Sequence, residues 1–427
     1  MKAAAEEARP LGLFSLFTLG LNGIVGVGIF FSPAEVARAS PPGRSVAVFG
    51  LTALLLVPVA LVFVALSRRF EEDGGPVLYA RAAFSPWLAF AVGWMAYVSA
   101  IASTASTCAG LAHALVAGAP SVHERAAGVG LATLLALLCA AGIVFSARVW
   151  SLFTVLKMLP LLALAAAAVM LAPQTTPPVE TAREGSWLGG ALIATFAFQG
   201  FEIVPVVAGQ ARASRRIVPM ALLGSLAAAA ALYLVLQSAC VRGLGGGLPA
   251  SAAPLADAAT VFGGLRLHRI LIAGTSVSAL GIAFGYMAMT PRYLATLAGQ
   301  ETLGFKLHQG SARGVPLRSL AVTWALVSVL IAVLGARLGD LLELSSVAVL
   351  CQYVSAAGAL GWLGLRRMNG FRRRDAWLAL PALVAPALLL SHGTAGEWAT
   401  AGGALALGFV LRYRKSRARP GYGRAPT

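Results

Sequence analysis

Hydrophobic residues fall along this chain in long blocks separated by short polar connections. The first block holds no charged residue between Leu11 and Ala34. The blocks predict twelve helices, near residues 11–36, 45–66, 84–117, 126–146, 148–171, 187–210, 216–241, 269–296, 317–336, 341–365, 376–393 and 397–412. Many reach the about 20 residues that cross a ~30 Å hydrocarbon core. The third is long enough to tilt, the eleventh carries Pro381 and Pro386, and the twelfth is short. The pattern is that of an all-α polytopic membrane protein.

Two blocks are interrupted in the middle. Asn22 to Phe30 reads N-G-I-V-G-V-G-I-F, and Phe196 to Glu202 reads F-A-F-Q-G-F-E with Pro205 just beyond. Glycine adds backbone entropy to a helix and proline removes an N–H. Inside a bilayer, unwound backbone survives only where protein or a wet cavity satisfies its freed groups. The interruptions lie five blocks apart, so the two helices run in opposite directions. That predicts an inverted five-plus-five repeat with two further helices, and a transport site between the breaks. The whole chain, 1–427, reads as one domain. Residues 11–171 form the first repeat, 187–365 the second, 376–412 the two added helices and 413–427 a basic tail.

Composition agrees. The chain is 58% hydrophobic and 11% charged, with a mean hydropathy of +0.80, whereas soluble domains are about a quarter charged. The net charge of +17 would suggest nucleic acid in a soluble protein; here it is explained by topology. With the N-terminus cytoplasmic, 24 of the 33 basic residues fall in cytoplasmic segments and 8 outside, as the positive-inside rule requires. The segment Arg412 to Arg424 is expected to lie on an anionic leaflet of membrane lipid. Glu6 and Glu7 argue against a cleaved signal, so the first helix is retained. Cys108, Cys139, Cys240 and Cys351 lie in apolar stretches without ligand or disulfide spacing, and His113 and His123 lack metal spacing. No cofactor or metal is expected. A membrane-embedded enzyme is disfavoured, because only Lys157, Glu202 and Glu343 are both intramembrane and ionisable.

The breaks carry the candidate chemistry. A half-helix starting near Gly28 presents free N–H groups at Val27 and Gly28 that suit a carboxylate. The half-helix ending near Ile24 leaves carbonyls that suit an ammonium, as do those of Phe196 and Gln199 beside Gly200. Gly23, Gly26 and Gly28, flanking Val25, let a ligand approach the backbone; the same small residues could equally form a helix-packing face. Ser99, Ser103, Met287 and Ser346 are expected to line the pocket and suit a small or neutral substrate. Glu202 is a carboxylate well inside an apolar block, and reads as an acceptor capping the unwound backbone or as a protonated acid. Lys157 stands mid-block in L-F-T-V-L-K-M-L-P; it is either a buried ammonium, costly without partners, or a side chain that snorkels to the cytoplasmic surface. Glu71-Glu72-Asp73 beside Arg68-Arg69 reads as an ion-paired gate or a solvated loop, and Glu35 and Glu343 as interfacial groups.

Four stretches together resemble the amino acid–polyamine–organocation (APC) superfamily of permeases. They are G-V-G-I-F at Gly26 to Phe30, S-R-R-F-E-E-D-G-G-P-V-L-Y-A-R from Ser67 on to Trp94, F-A-F-Q-G-F-E with R-R-I-V-P at Arg215 to Pro219, and S-A-L-G at Ser278 to Gly281 with Pro291-Arg292. The resemblance runs from about residue 11 to 415. It implies a LeuT-type fold of twelve helices with discontinuous first and sixth helices, carrying amino acids or related amines. It implies that Phe196 is an aromatic lid and that Glu202 links occupancy to gating. It implies that Lys157 stands where sodium-coupled relatives hold a structural sodium, with Ser276 and Ser278 as neighbours. Sodium independence and proton coupling follow; exchange, or a transport-inactive sensor, is the alternative. The segment Gly209 to Ser214 departs from the family's acidic pair and Asn-Pro, marking a divergent branch. The Ala-, Gly- and Arg-rich composition points to a bacterial inner membrane.

Overall fold

The structure is a computed structural model, and it describes residues 10–26, 28–116, 121–172, 185–299, 307, 314–334, 339–391 and 395–417. Among these residues the regular structure is helical, joined by short turns. The one β-type pairing is an isolated parallel bridge between Leu11 and Ala211. Helices α1 (Leu13–Ile24) and α2 (Gly28–Ala39) form a pair whose axes bend by 45°. There follow α3 (Ser45–Ser67), α4 (Pro76–Ala83), α5 (Pro86–Leu115), α6 (Ser121–Ala140) and α7 (Ile143–Met170). Helix α8 (Trp187–Phe198) passes through Gln199 and Gly200 into a 3-10 segment, Phe201–Gln210. The chain continues as α9 (Ser214–Leu244), α10 (Pro254–Gly299), α11 (Leu317–Leu334), α12 (Gly339–Leu365), α13 (Arg373–Trp377), α14 (Ala379–Leu390) and α15 (Ala395–Arg417).

Among the described residues, eight helical segments are long and apolar enough to cross a membrane, or nine with the bent pair counted as one span. The apolar stretches Leu317–Val333 and Trp398–Arg412 are shorter. Leu54, Leu152, Leu162 and Met170 are exposed on these helices, a surface that lipid rather than water covers. The protein is an integral, multi-pass membrane protein.

Local sequence sets the helix ends. Ser85 caps α5 by accepting from Leu88 N, with Pro86 in the first turn. Ser186 caps α8 by accepting from Gly189 N at 2.9 Å. Helix α10 begins well before the expected residue 269. The Ala-rich run after Pro254 is itself a good helix former, and Gly264, at φ +66°, kinks it into the long arm. The connection between the blocks at 216–241 and 269–296 thus holds a 3-10 turn (Gly245–Ala250) and this first arm.

Two large apolar clusters fill most of the interior among the described residues. One centres on Phe49, Phe63, Phe198, Phe201, Tyr233 and Tyr353, the other on Phe90, Trp94, Tyr97, Trp150 and Phe284. Helix α1 contributes to both, through Leu21 and Ile24 to the first and Leu16 and Leu19 to the second. Its broken end is therefore held on two sides.

Candidate functional site

Helix α1 stops because Val25 leaves helical geometry at ψ 78°, and Gly26 N turns back to Ile24 O at 2.8 Å. Helix α8 stops because Gln199 is extended and Gly200 takes φ +119°. That conformation is open to glycine and strained for other residues. The two breaks touch backbone to backbone. A Cβ on Gly200 would lie 2.3 Å from the Gly23 carbonyl carbon, and a Cβ on Gly23 would lie 2.6 Å from Gly200 O. Glycine at both positions is a steric requirement of this contact.

Between the breaks lies a cavity of about 80 Å³. Gly23, Ile24, Gly26 and Gly28 line it from the first break, and Phe196, Ala197 and Gln199 from the second. Helices α5 and α10 complete it with Ser103, Thr107, Ile282 and Tyr286. The Phe196 ring would stand 3.5 Å from a Cβ on Gly28, close over the cavity. The first-turn N–H groups of α2, beginning at Gly28, have no intrahelical acceptor. Val27 lies outside the described residues. So does the side chain of Ser346, and that of Glu343. Ser99 and Met287 are buried beside the cavity and do not line it; Thr107 and Tyr286 take those places. The choice between neighbouring positions depends on helix rotation, which the sequence of an apolar helix does not state.

Lys157 is fully buried, so it does not snorkel. Its Nζ donates to the carbonyl oxygens of Asn22 (2.8 Å) and Val25 (2.5 Å) at the broken end of α1. A cation at a helix C-terminus meets the negative end of the dipole and the orphan carbonyls. Ser278 Oγ donates to the same Val25 carbonyl at 3.4 Å. Ser276 does not join them; it is exposed. Two residues along a helix is a rotation of about 200°, so Ser276 and Ser278 face opposite ways.

The Ile24 carbonyl, expected to await an ammonium, is already engaged. It accepts from Gly26 N (2.8 Å) and shares the single hydroxyl proton of Tyr233, 2.9 Å away, with a second carbonyl. Tyr233 OH also lies 3.1 Å from Ala197 O, so one hydroxyl bridges the two breaks. No signal at Tyr233 marked it, because it sits in an unbroken apolar helix far along the chain. Glu202 sits behind the cavity, buried, and caps the second break. Its Oε2 accepts from Gly200 N (2.9 Å) and Tyr353 OH (2.7 Å).

One end of the molecule is latched. Asp73 accepts from the buried Arg292 and from Gly209 N (2.9 Å). Glu71 pairs with Arg215 at 2.6 Å. Of the two readings of this segment, an ion-paired gate or a solvated loop, the acids do form ion pairs, here with Arg215 and Arg292, while Arg69 donates to Gly370 O. Gly74 and Gly75, both at positive φ, turn the chain so that the acids face the 3-10 segment. Leu11 N to Gln210 O and Arg212 N to Leu11 O, both 2.9 Å, close the same end. Elsewhere, Glu35 pairs with Arg38 on the surface and His113 with Glu124. Among the described residues, no three His, Cys, Asp or Glu side chains are grouped for a metal.

The sequence matches the family model described as "Amino acid permease" over residues 11–395. It is 28% identical over 369 residues to an uncharacterized transporter of Mycobacterium tuberculosis (strain H37Rv), covering 84% of this chain and 81% of that one. It is 27% identical over 409 residues to the glutamate/serine transporter AimA of Bacillus subtilis, covering 84% of this chain and 71% of the relative. It is also 27% identical over 251 residues to the branched-chain amino acid permease BcaP of the same species, covering 54% of each. Helices that cross a bilayer, two of them broken around a shared cavity, are joined here by a family match over most of the chain. The protein belongs to the amino acid permease family, within the APC superfamily, and is a membrane transporter rather than an enzyme.

Proposed function

We propose that the protein carries small amino acids or related amines across the membrane by alternating access around the cavity between the two breaks. The observation that carries this reading is the partly open cavity between the breaks, lined by glycine backbone from one break and by Phe196 and Gln199 from the other. A zwitterion there would set its carboxylate on the Gly28 end of α2 and its ammonium toward the Phe196 and Gln199 carbonyls. The volume of about 80 Å³ is far below the about 300 Å³ of ordinary ligand pockets. It favours a small, neutral substrate over a polyamine. AimA and BcaP are named for amino acids, which supports the same class.

The finer architecture belongs to this reading. The bent pair α1–α2 serves as the first span and Trp187–Gln210 as the sixth, within repeats 11–171 and 187–365. Helices α11, α14 and α15, though short, bring the number to twelve. Both termini are cytoplasmic, on the basic-residue bias, and the membrane is the inner membrane of a bacterium. The cycle is sodium-independent because the Lys157 ammonium fills the place of a cation at the first break, and a proton drives it. Exchange is the second reading, since the same site could cycle only when loaded. Reconstituted protein decides between them. Uptake of labelled amino acids that rises with an imposed pH gradient and ignores sodium is expected. Uptake that requires internal amino acid would favour exchange, and saturable binding without flux would mean a sensor.

A further inference from the structure

A second concave site lies away from the cavity, on the lipid-facing side of α1 and α7. It is a groove of about 430 Å³. Phe14 on α1 and Val144, Leu152 and Val155 on α7 line it, and each is exposed. Ser15 and Arg148 supply polar atoms at the same groove. Its floor is sealed by interhelical hydrogen bonds. Trp150 Nε1 donates to Ser15 O (2.9 Å), Thr154 Oγ1 to Thr18 O (3.0 Å), and the Thr18 and Ser151 hydroxyls meet at 2.7 Å. The floor thus has its own partners, while the walls are apolar and open to the bilayer.

The depth of Arg148 gives the site its character. It stands about nine residues before Lys157 on one helix, ~14 Å along the axis. Lys157 marks the mid-membrane break, and half of the hydrocarbon core is about 15 Å. The Arg148 backbone therefore lies at the edge of the hydrocarbon core, and its long side chain reaches outward to the lipid phosphates. It is exposed, and no described residue pairs with its guanidinium. A guanidinium binds phosphate through paired N–H groups. A basic group at a groove between membrane helices is a headgroup site in its own right.

We propose that this groove binds one anionic phospholipid, its phosphate on Arg148 and an acyl chain along Phe14, Leu152 and Val155. Helix α1 forms one wall and carries the first break. An occupied groove therefore braces the α1–α7 contact that also includes Lys157. The site stands independently of what the cavity transports.

Native mass spectrometry of the full chain in detergent tests this, with equal amounts of phosphatidylglycerol and phosphatidylcholine added. The wild type should retain one phosphatidylglycerol in preference to phosphatidylcholine. Arg148→Gln should lower that retention about fivefold, the worth of one basic residue at a lipid surface, and Arg148→Lys should restore most of it. Val155→Trp, which fills the groove without changing charge, should lower it as well; Leu152→Trp replaces it if that variant misfolds. Unchanged retention in Arg148→Gln overturns the proposal. So does a loss in Arg148→Gln with none in the tryptophan variant, because diffuse attraction to a basic face needs no groove.

Discussion

Replacing Lys157 by methionine removes the ammonium while keeping most of the side-chain volume. Two carbonyl oxygens then lose a donor, Asn22 O at 2.8 Å and Val25 O at 2.5 Å. In soluble proteins a hydrogen bond from a charged donor contributes about 1.5–3 kcal/mol. Between membrane helices the measured average is about 0.6 kcal/mol, with a maximum near 1.7. Two bonds therefore contribute about 1–6 kcal/mol. At a middle value of ~3 kcal/mol, and 1.4 kcal/mol per tenfold, the population with the first break held on α7 falls roughly a hundredfold. The assay is uptake of labelled amino acid into proteoliposomes under an inward proton gradient, with thermal unfolding in detergent measured alongside. Gradient-driven uptake by Lys157→Met should fall at least tenfold, and the melting temperature should drop. Lys157→Ala should do the same and leave space beside Asn22 O, Val25 O and Ser278 Oγ. Such a set of oxygens can replace the hydration shell of a cation, so sodium should raise the melting temperature of Lys157→Ala and not that of the wild type. Full proton-driven uptake by both variants, with unchanged melting, would refute the reasoning.

Further outcomes are expected elsewhere. Gly200→Ala places a Cβ 2.3 Å from the Gly23 backbone at φ +119°; the strain alone costs about 1–3 kcal/mol, and thermal unfolding should show the loss. Gly28→Ala meets the Phe196 ring at 3.5 Å and Ala197 Cα at 3.9 Å, both ordinary contacts, so it should melt like the wild type while KM for substrate rises, because the cavity narrows. Tyr353→Phe removes the 2.7 Å bond to Glu202 and leaves the Gly200 bond in place; unfolding should show a loss of about 1–3 kcal/mol, and a larger effect on transport than on melting would assign the pair to gating. Asp73→Asn weakens the hold on Arg292 and Gly209, and should speed thiol labelling of a T296C reporter in the 280 Å³ pocket beside the latch. Unchanged labelling would count against the latch.

The parts of this protein legible in its sequence are those governed by local properties. Hydropathy marks the membrane helices, because an ~30 Å core demands a continuous apolar run. Glycine content marks where α1 and α8 end, at Ile24 and Phe198, because backbone freedom belongs to the residue itself. A lone lysine in an apolar run announces a buried partner, though it does not say which. The rest required the tertiary structure. Tyr233 bridges Ile24 and Ala197, Arg292 crosses to Asp73, and Ser278 rather than Ser276 faces Val25. Each of these depends on how a helix is rotated about its own axis. A soluble helix writes that rotation into its sequence as an apolar stripe. A helix bathed in lipid is apolar on every side, so the sequence carries no such mark. Only the packed fold assigns one face to the cavity, another to a neighbouring helix and a third to the bilayer.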